Sequence, residues 1–183
     1  MKSGMPIVTF QDVKNRIVTV TTLSLTDLDD LLAYANELIE EDTYVLLSGI
    51  PLSRVHEEKY INEAIKLMLE DKKIHLIARI DGKLVSSFEI RRYTLRQSHV
   101  GEIGISIAKE FRDSGIGKQC MRILIGEARK MGLRTLVLTC FAINSRAIGL
   151  YESFGFRKVG IIPGMFLYKG KYVDEVSMYL PLV

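Results

Sequence analysis

Apolar positions along this 183-residue chain follow two rhythms, alternation and helical stripes. The β-branched run Ile17-Val18-Thr19-Val20-Thr21-Thr22 reads as an opening strand. Leu28, Leu31, Leu32, Ala35, Leu38 and Ile39 then recur at helical spacing, with Ser24 or Thr26 as the cap. From about Ser53 a second helix carries Ile61, Ala64, Ile65 and Met68 on one stripe. His75–Ile80, the turn Asp81-Gly82 and Lys83–Arg91 form a hairpin, because Asp-Gly suits a tight primed turn. A strand over about Val100–Ile107 leads to a helix opened by Gly115, with Met121, Leu124, Ile125 and Ala128 on one face and an end near Met131-Gly132. Thr135–Phe141 reads as a buried strand, Asn144–Phe154 as a short helix, and about Arg157–Tyr168 and Tyr172–Leu180 as two final strands. The predicted order is β-α-α-β-β-β-α-β-α-β-β, a mixed α/β arrangement without the steady alternation of a doubly wound sheet. Nothing in the chain reads as a repeat or linker, so residues 1–183 are expected to form a single domain.

Composition narrows the class. With 48% hydrophobic and 26% charged residues the chain is neither disordered nor fibrous, and Cys120 and Cys140 are its only cysteines. Two cysteines in a domain of this size read as reduced thiols, so a cytoplasmic location is expected. The longest apolar runs, such as Leu136-Val137-Leu138, fall far short of the ~20 residues of a membrane span. The start Met1-Lys2-Ser3-Gly4-Met5-Pro6 has no apolar stretch of the kind a secretory signal needs. A net charge of +3 is too slight to point to nucleic acid. His56, His75 and His99 lack ligand spacing, so no metal is expected.

Candidate chemistry gathers at Arg112-Asp113-Ser114-Gly115-Ile116-Gly117-Lys118, where a strand hands over to a helix. The first amides of a helix lack partners within it, and the helix dipole adds positive potential there. Glycines let a phosphate come close to those amides, and Arg112 and Lys118 offer countercharge. A strand–helix turn that needs glycine for backbone reasons alone is the other reading. A P-loop is excluded, because Arg112 stands where its first Gly belongs and Gln119 where Ser or Thr belongs. A dinucleotide fingerprint is excluded too, by Cys120 at its third glycine and by Cys140-Phe141 in place of a strand-end acid.

Arg112-x-x-Gly115-x-Gly117, followed by Asn144-x-x-Ala147-x-x-Leu150-Tyr151-x-x-x-Gly155-Phe156, resembles the acetyl-CoA motifs of the GNAT superfamily of N-acetyltransferases. The order of elements along the entire chain resembles that fold as well. The resemblance implies a mixed, mostly antiparallel sheet with about four helices and a splayed strand pair that admits pantetheine. It implies that Ile105, Ser106 and Ile107 pair with pantetheine amides. The pyrophosphate would lie on the amides of Asp113, Ser114, Gly115, Ile116, Gly117 and Lys118, and Asn144 would contact the cofactor and cap its helix. Tyr151 lies on the same helical face as Asn144 and matches the tyrosine that protonates the departing thiolate. Its phenol, with an ordinary pKa of about 10, suits an alkyl thiol of similar acidity; packing in the core is the alternative role. In the branch acting on ribosomal-protein N-termini a Glu stands at the position held here by Thr139. Glu102 is the carboxylate expected to serve as base in its stead, with a solvated strand charge as the alternative; His99 lies near a turn.

Direct attack of a primary amine on the acetyl thioester in a ternary complex is expected, rather than passage through an acetyl-Cys140. The expected acceptor is a small-molecule amine or polyamine, which Glu40-Glu41-Asp42 would suit if they border the cleft. Acids at a helix end are more often simply solvated, however, and the aromatics of Met165–Tyr172 more often pack than bind. A protein N-terminal amine is the second class. A silent acyl-CoA-binding regulatory module of the same fold is the competing class. Free strand edges at the C-terminal hairpin allow a homodimer.

Overall fold

The computed structural model describes residues 1–182. Eight strands form one sheet: β1 (Pro6–Gln11), β2 (Ile17–Thr22), β3 (Lys73–Ile80), β4 (Lys83–Arg92), β5 (Val100–Ile107), β6 (Thr135–Phe141), β7 (Arg157–Tyr168) and β8 (Lys171–Pro181). Their spatial order is β1-β2-β3-β4-β5-β6-β8-β7. All neighbours are antiparallel except β5 and β6, which run parallel. The helices are α1 (Leu28–Glu41), α2 (Arg54–Leu69), α3 (Ile116–Lys130) and α4 (Ser145–Ser153).

The apolar stripes predicted from spacing are the faces that pack. Leu31, Ala35 and Leu38 of α1, Ile61, Ala64 and Met68 of α2, and Met121, Leu124 and Ala128 of α3 are all buried. β3 is buried at nearly every position, so it lacks the alternation of a half-exposed strand. β1 is the element that the hydrophobic pattern misses. Most of its side chains are exposed, and pairing with the free edge of β2, rather than burial, holds it in place. At the head of α1, Asp27 Oδ2 accepts hydrogen bonds from Ser24 N (2.7 Å) and Ser24 Oγ (3.1 Å), while Oδ1 takes Arg79 Nη2 at 2.7 Å. Ser24 therefore caps the short 3₁₀ turn that precedes α1, and the helix begins at Leu28.

One buried polar group gives the fold an acid limit. His75 is 1% exposed; its Nε2 lies 2.8 Å from Ser87 Oγ and its Nδ1 lies 3.4 Å from Glu89 Oε2. Lys73 Nζ (2.7 Å) and the Tyr60 hydroxyl (3.0 Å) also meet Glu89 Oε2. Burial pushes the His75 imidazole down to about 4, outweighing the attraction of Glu89. The unfolded chain therefore binds this proton near pH 6.5 and the folded chain only near pH 4. Stability from this group is complete above pH 6.5 and falls by about 3 kcal/mol as the pH drops to 4. Thermal melts across that window should show the loss, and His75→Gln should flatten it.

Candidate active site

The parallel ladder between β5 and β6 is short. It joins Val100 to Thr135, Gly101 to Leu136 and Glu102 to Val137, and then stops. Beyond Glu102 the two strands part, because β6 stays paired with β8 through Phe141 while β5 stays paired with β4 through Ile107. Ile105, Ser106 and Ile107 thus have no strand partner on the β6 side. A cavity of about 900 Å³ fills the gap. Its walls are this stretch of β5, the glycine turn, Ile143 and Asn144 with one face of α4, and Thr43, Tyr44 and Val45 from the connection between α1 and α2.

The glycine turn has the geometry of an anion cradle. Asp113 (φ 59°) and Gly115 (φ 82°) both sit in the left-handed region, and Gly115 caps α3. The first described amide of α3 to reach a carbonyl is Gln119 N, 3.2 Å from Gly115 O, so the amides ahead of it lack helical partners. A Cβ on Gly117 would stand 3.3 Å from both Ile107 Cδ1 and Leu150 Cδ2, so glycine keeps this wall open. The side chains of Ser114 and Ile116 are buried, which leaves only their backbone to serve a ligand. Lys118 is exposed at the rim.

Arg112 differs from the expectation of a free countercharge. Its Nη1 and Nη2 meet Glu41 Oε1 (2.5 Å) and Oε2 (2.6 Å), and its Nε donates to Ile107 O at 3.0 Å. The guanidinium clamps the C-terminal end of α1 to the splayed end of β5, and its charge is already neutralised. The basic group that sequence reasoning missed is Arg146, which lines the cavity and forms a 3.0 Å ion pair with Asp113 Oδ2. Its place in the first turn of α4, two residues after Asn144, was the available signal.

Asn144 Oδ1 accepts from Ala147 N at 3.1 Å, the cap its position predicted, and the residue also lines the cavity. Tyr151 is 9% exposed and lines the same cavity. No described residue hydrogen-bonds its hydroxyl, yet among the described residues no fully buried side-chain oxygen lacks a partner, so the hydroxyl faces accessible space. Burial, with a smaller push from Cys140, raises this phenol well above its ordinary value and keeps it protonated.

Glu102 does not join the site. It lies half-buried on the laddered part of β5, between Arg91 and Val137, and is not part of the cavity wall. Alternation within a strand shows which residues share a face but not where a ladder ends, and that end decides which residues reach the gap. His99 precedes β5 and is likewise outside the wall. Among the described residues the one carboxylate in the wall is Asp113, already paired with Arg146. Of the acidic run, Glu41 is bound to Arg112 and Asp42 ends α1 in a left-handed conformation. Burial pushes the thiols up, Cys120 to about 12 and Cys140 to about 11, so neither is a thiolate at neutral pH. No group of residues suited to hold a metal ion occurs among the described residues. None of their helices is long and apolar enough to cross a membrane.

A mixed sheet parted beside an amide cradle, with basic side chains at the rim, defines the class of acyl-CoA-dependent acyltransferase folds. A family model described as acetyltransferase (GNAT) family matches residues 34–156, and the chain belongs to that family. It is 34% identical over 106 residues to an L-amino acid N-acetyltransferase of Escherichia coli K12, a match covering 56% of this chain and 65% of that protein. It is 28% identical over 125 residues to the ribosomal protein bS18-alanine N-acetyltransferase of Salmonella typhimurium, covering 68% of this chain and 74% of that one. Among solved structures, a GNAT-family acetyltransferase from Streptococcus pneumoniae superposes with a TM-score of 0.80 at 26% identity, over 90% of this chain and 98% of that one. A putative acetyltransferase of Salmonella typhimurium, solved with acetyl-CoA, shares the fold with a TM-score of 0.79 at 18% identity, over 91% and 94% of the two chains.

Proposed function

We propose that the chain, as one domain, transfers the acetyl group of acetyl-CoA to the nitrogen of a primary amine by direct attack in a ternary complex. The observation that carries this reading is the coexistence, in one cavity of about 900 Å³, of the amide cradle at the head of α3 and the Tyr151 hydroxyl. Acetyl-CoA supplies an activated thioester. The unpaired backbone of Ile105, Ser106 and Ile107 aligns its pantetheine arm, while the amides from Asp113 to Lys118 hold its pyrophosphate. Lys118 and Arg146 add positive charge at the rim, and Asn144 fixes the start of α4 beside the thioester. Tyr151 donates a proton to the departing sulfur. The raised thiol of Cys140 argues against a covalent acetyl-cysteine.

Among the described residues no free carboxylate or imidazole lines the cavity, which favours acceptors that shed a proton without strong help. A small-molecule amine is the first acceptor class, and an aliphatic one, titrating at about 10.4, would depend most on such help. A protein N-terminal amine, with a pKa of about 8, is the second. The bacterial relatives named above act on amino acids and on a ribosomal-protein alanine, and both substrates carry an α-amine. The two free, buried cysteines fit a reducing compartment such as the cytoplasm. The outer strand β7, with exposed Val159, Ile161, Met165 and Leu167, offers the edge on which a second copy would pair.

The test is thiol release from acetyl-CoA against a panel of small amines, polyamines and N-terminal peptides. Amine-dependent release is the expected result. Tight CoA binding without release from any of them would convert the reading into that of a silent acyl-CoA-binding module.

A further inference from the structure

The hairpin formed by β1 and β2 turns at Asp12–Arg16, and this tip reaches the cavity from outside the stretch 34–156 that carries the family match. An internal frame fixes its shape. The Asp12 side chain is fully buried, and its Oδ1 accepts from the amides of Lys14 and Arg16, each at 2.9 Å. Its Oδ2 accepts from Arg16 Nε (2.8 Å) and Nη2 (2.6 Å). Asn15 closes the turn in the left-handed region, with its amide 3.0 Å from Asp12 O. Four hydrogen bonds to one carboxylate leave the tip a single shape.

Three contacts tie the tip to the glycine turn. Val13 N donates to Ser114 O at 3.0 Å. The Arg16 guanidinium lies over the Phe111 ring, 4.8 Å from its centroid, and Ser114 Oγ in turn donates to Phe111 O. Val13 Cγ1 sits so near the head of α3 that a Cβ on Gly115 would stand 3.1 Å from it. The segment gripped in this way holds Asp113 and Gly115 at positive φ, a conformation that an aspartate keeps only where its surroundings enforce it. The C=O and N–H of a trans peptide point in opposite directions, so tying Ser114 O to the hairpin aims the Gly115 amide away from it. That amide has no partner among the described residues. Val13 is 69% exposed yet lines the same cavity, so an occupant would cover it.

We propose that the tip of the β1–β2 hairpin is part of the cofactor site. Asp12, through the frame it builds, is the positioning residue that holds the cradle with the Gly115 amide free, and Val13 is the wall that shields the cofactor's diphosphate from water on that side. This rests on the acetyl-transfer reading and extends its CoA site to a segment that neither sequence motif includes. A diphosphate beside an apolar wall meets a lower local dielectric, which strengthens its bonds to the amides. A cradle already set in shape also loses less freedom when the ligand arrives.

The experiment places a charge at position 13 and reads CoA affinity by calorimetry at low and at high salt. Because Val13 is largely exposed, Val13→Lys and Val13→Glu should both keep the wild-type Tm. At low salt Val13→Lys should bind CoA at least about tenfold more tightly than Val13→Glu, with wild type between them, and high salt should narrow the gap. Asp12→Asn should weaken CoA by about three- to tenfold with stoichiometry still one per chain. Equal affinities in the two Val13 variants overturn the wall, and so does a fall of similar size in both, which would be an effect of packing. An unchanged affinity in Asp12→Asn overturns the positioning role, as does a loss of stoichiometry, which would make Asp12 a folding residue only. Failure of wild type to bind CoA at all would overturn instead the acetyl-transfer reading on which this rests.

Discussion

Replacing Tyr151 by phenylalanine is expected to lower kcat by about two to three orders of magnitude, with CoA affinity and Tm unchanged. The substitution removes one hydroxyl and nothing else. The ring stays in its place on α4 beside Phe156, 6.0 Å away between centroids. The hydroxyl has no hydrogen-bond partner among the described residues to leave stranded. Its proton is the point. Burial holds the phenol well above its ordinary value, which at first sight makes it too weak an acid for a thiolate. The same dry surroundings raise a thiol as well, and the Cys140 thiol stands at about 11 under the same influence. Acid and leaving group therefore rise in the same direction, and the transfer is less uphill than the shift of the phenol alone would make it. A leaving thiolate without that proton would have to form as an anion in a poorly solvated gap. The measurement is steady-state kcat at saturating amine alongside CoA binding. A kcat equal to that of wild type would remove Tyr151 from the chemistry and leave it a packing residue.

What the amino-acid sequence disclosed about this site depended on range. Local features were legible: the left-handed Gly115 at the head of α3, the cap at Asn144, and the helical stripe that carries Tyr151 onto the same face. Each of these depends on residues within about two turns of one another, where spacing translates directly into geometry. The partner of Arg112 was not legible, because Glu41 lies 71 residues away and only the folded chain brings them together. For the same reason Arg112 looked like a phosphate ligand, since its nearest charges in sequence are Lys109, Glu110 and Asp113. The packed rings of Tyr44, Phe141, Phe166 and Tyr168 draw on the α1–α2 connection, β6 and β7, and no periodicity links those segments. Strand β1 escaped because pairing, not burial, stabilises it, and burial is what a hydrophobic pattern records.

Arg112→Ala is expected to lower Tm by roughly 5 to 10 °C, and this loss separates a clamp from a phosphate ligand. The Arg112–Glu41 pair is bidentate, with side chains only 22% and 19% exposed, and Arg112 Nε also satisfies Ile107 O. Removing the guanidinium strands Glu41 where water reaches it poorly. Breaking a fully buried pair costs about 3 to 5 kcal/mol; partial exposure here reduces that to about 2 to 3. Because the clamp ties α1 to the end of β5, CoA affinity should fall with it as the splay loosens. Replacing both partners with leucine removes the stranded charge, and much of the lost Tm should return. Lys118→Ala and Arg146→Ala should behave in the opposite way. Each takes an exposed charge from the rim, so Tm should hold while CoA affinity falls by about tenfold and loses part of its salt dependence. Melting curves and CoA titrations at two salt concentrations on these variants decide the matter. If Arg112→Ala left Tm unchanged and weakened CoA as Lys118→Ala does, the guanidinium would be a direct phosphate ligand, and the clamp would be wrong.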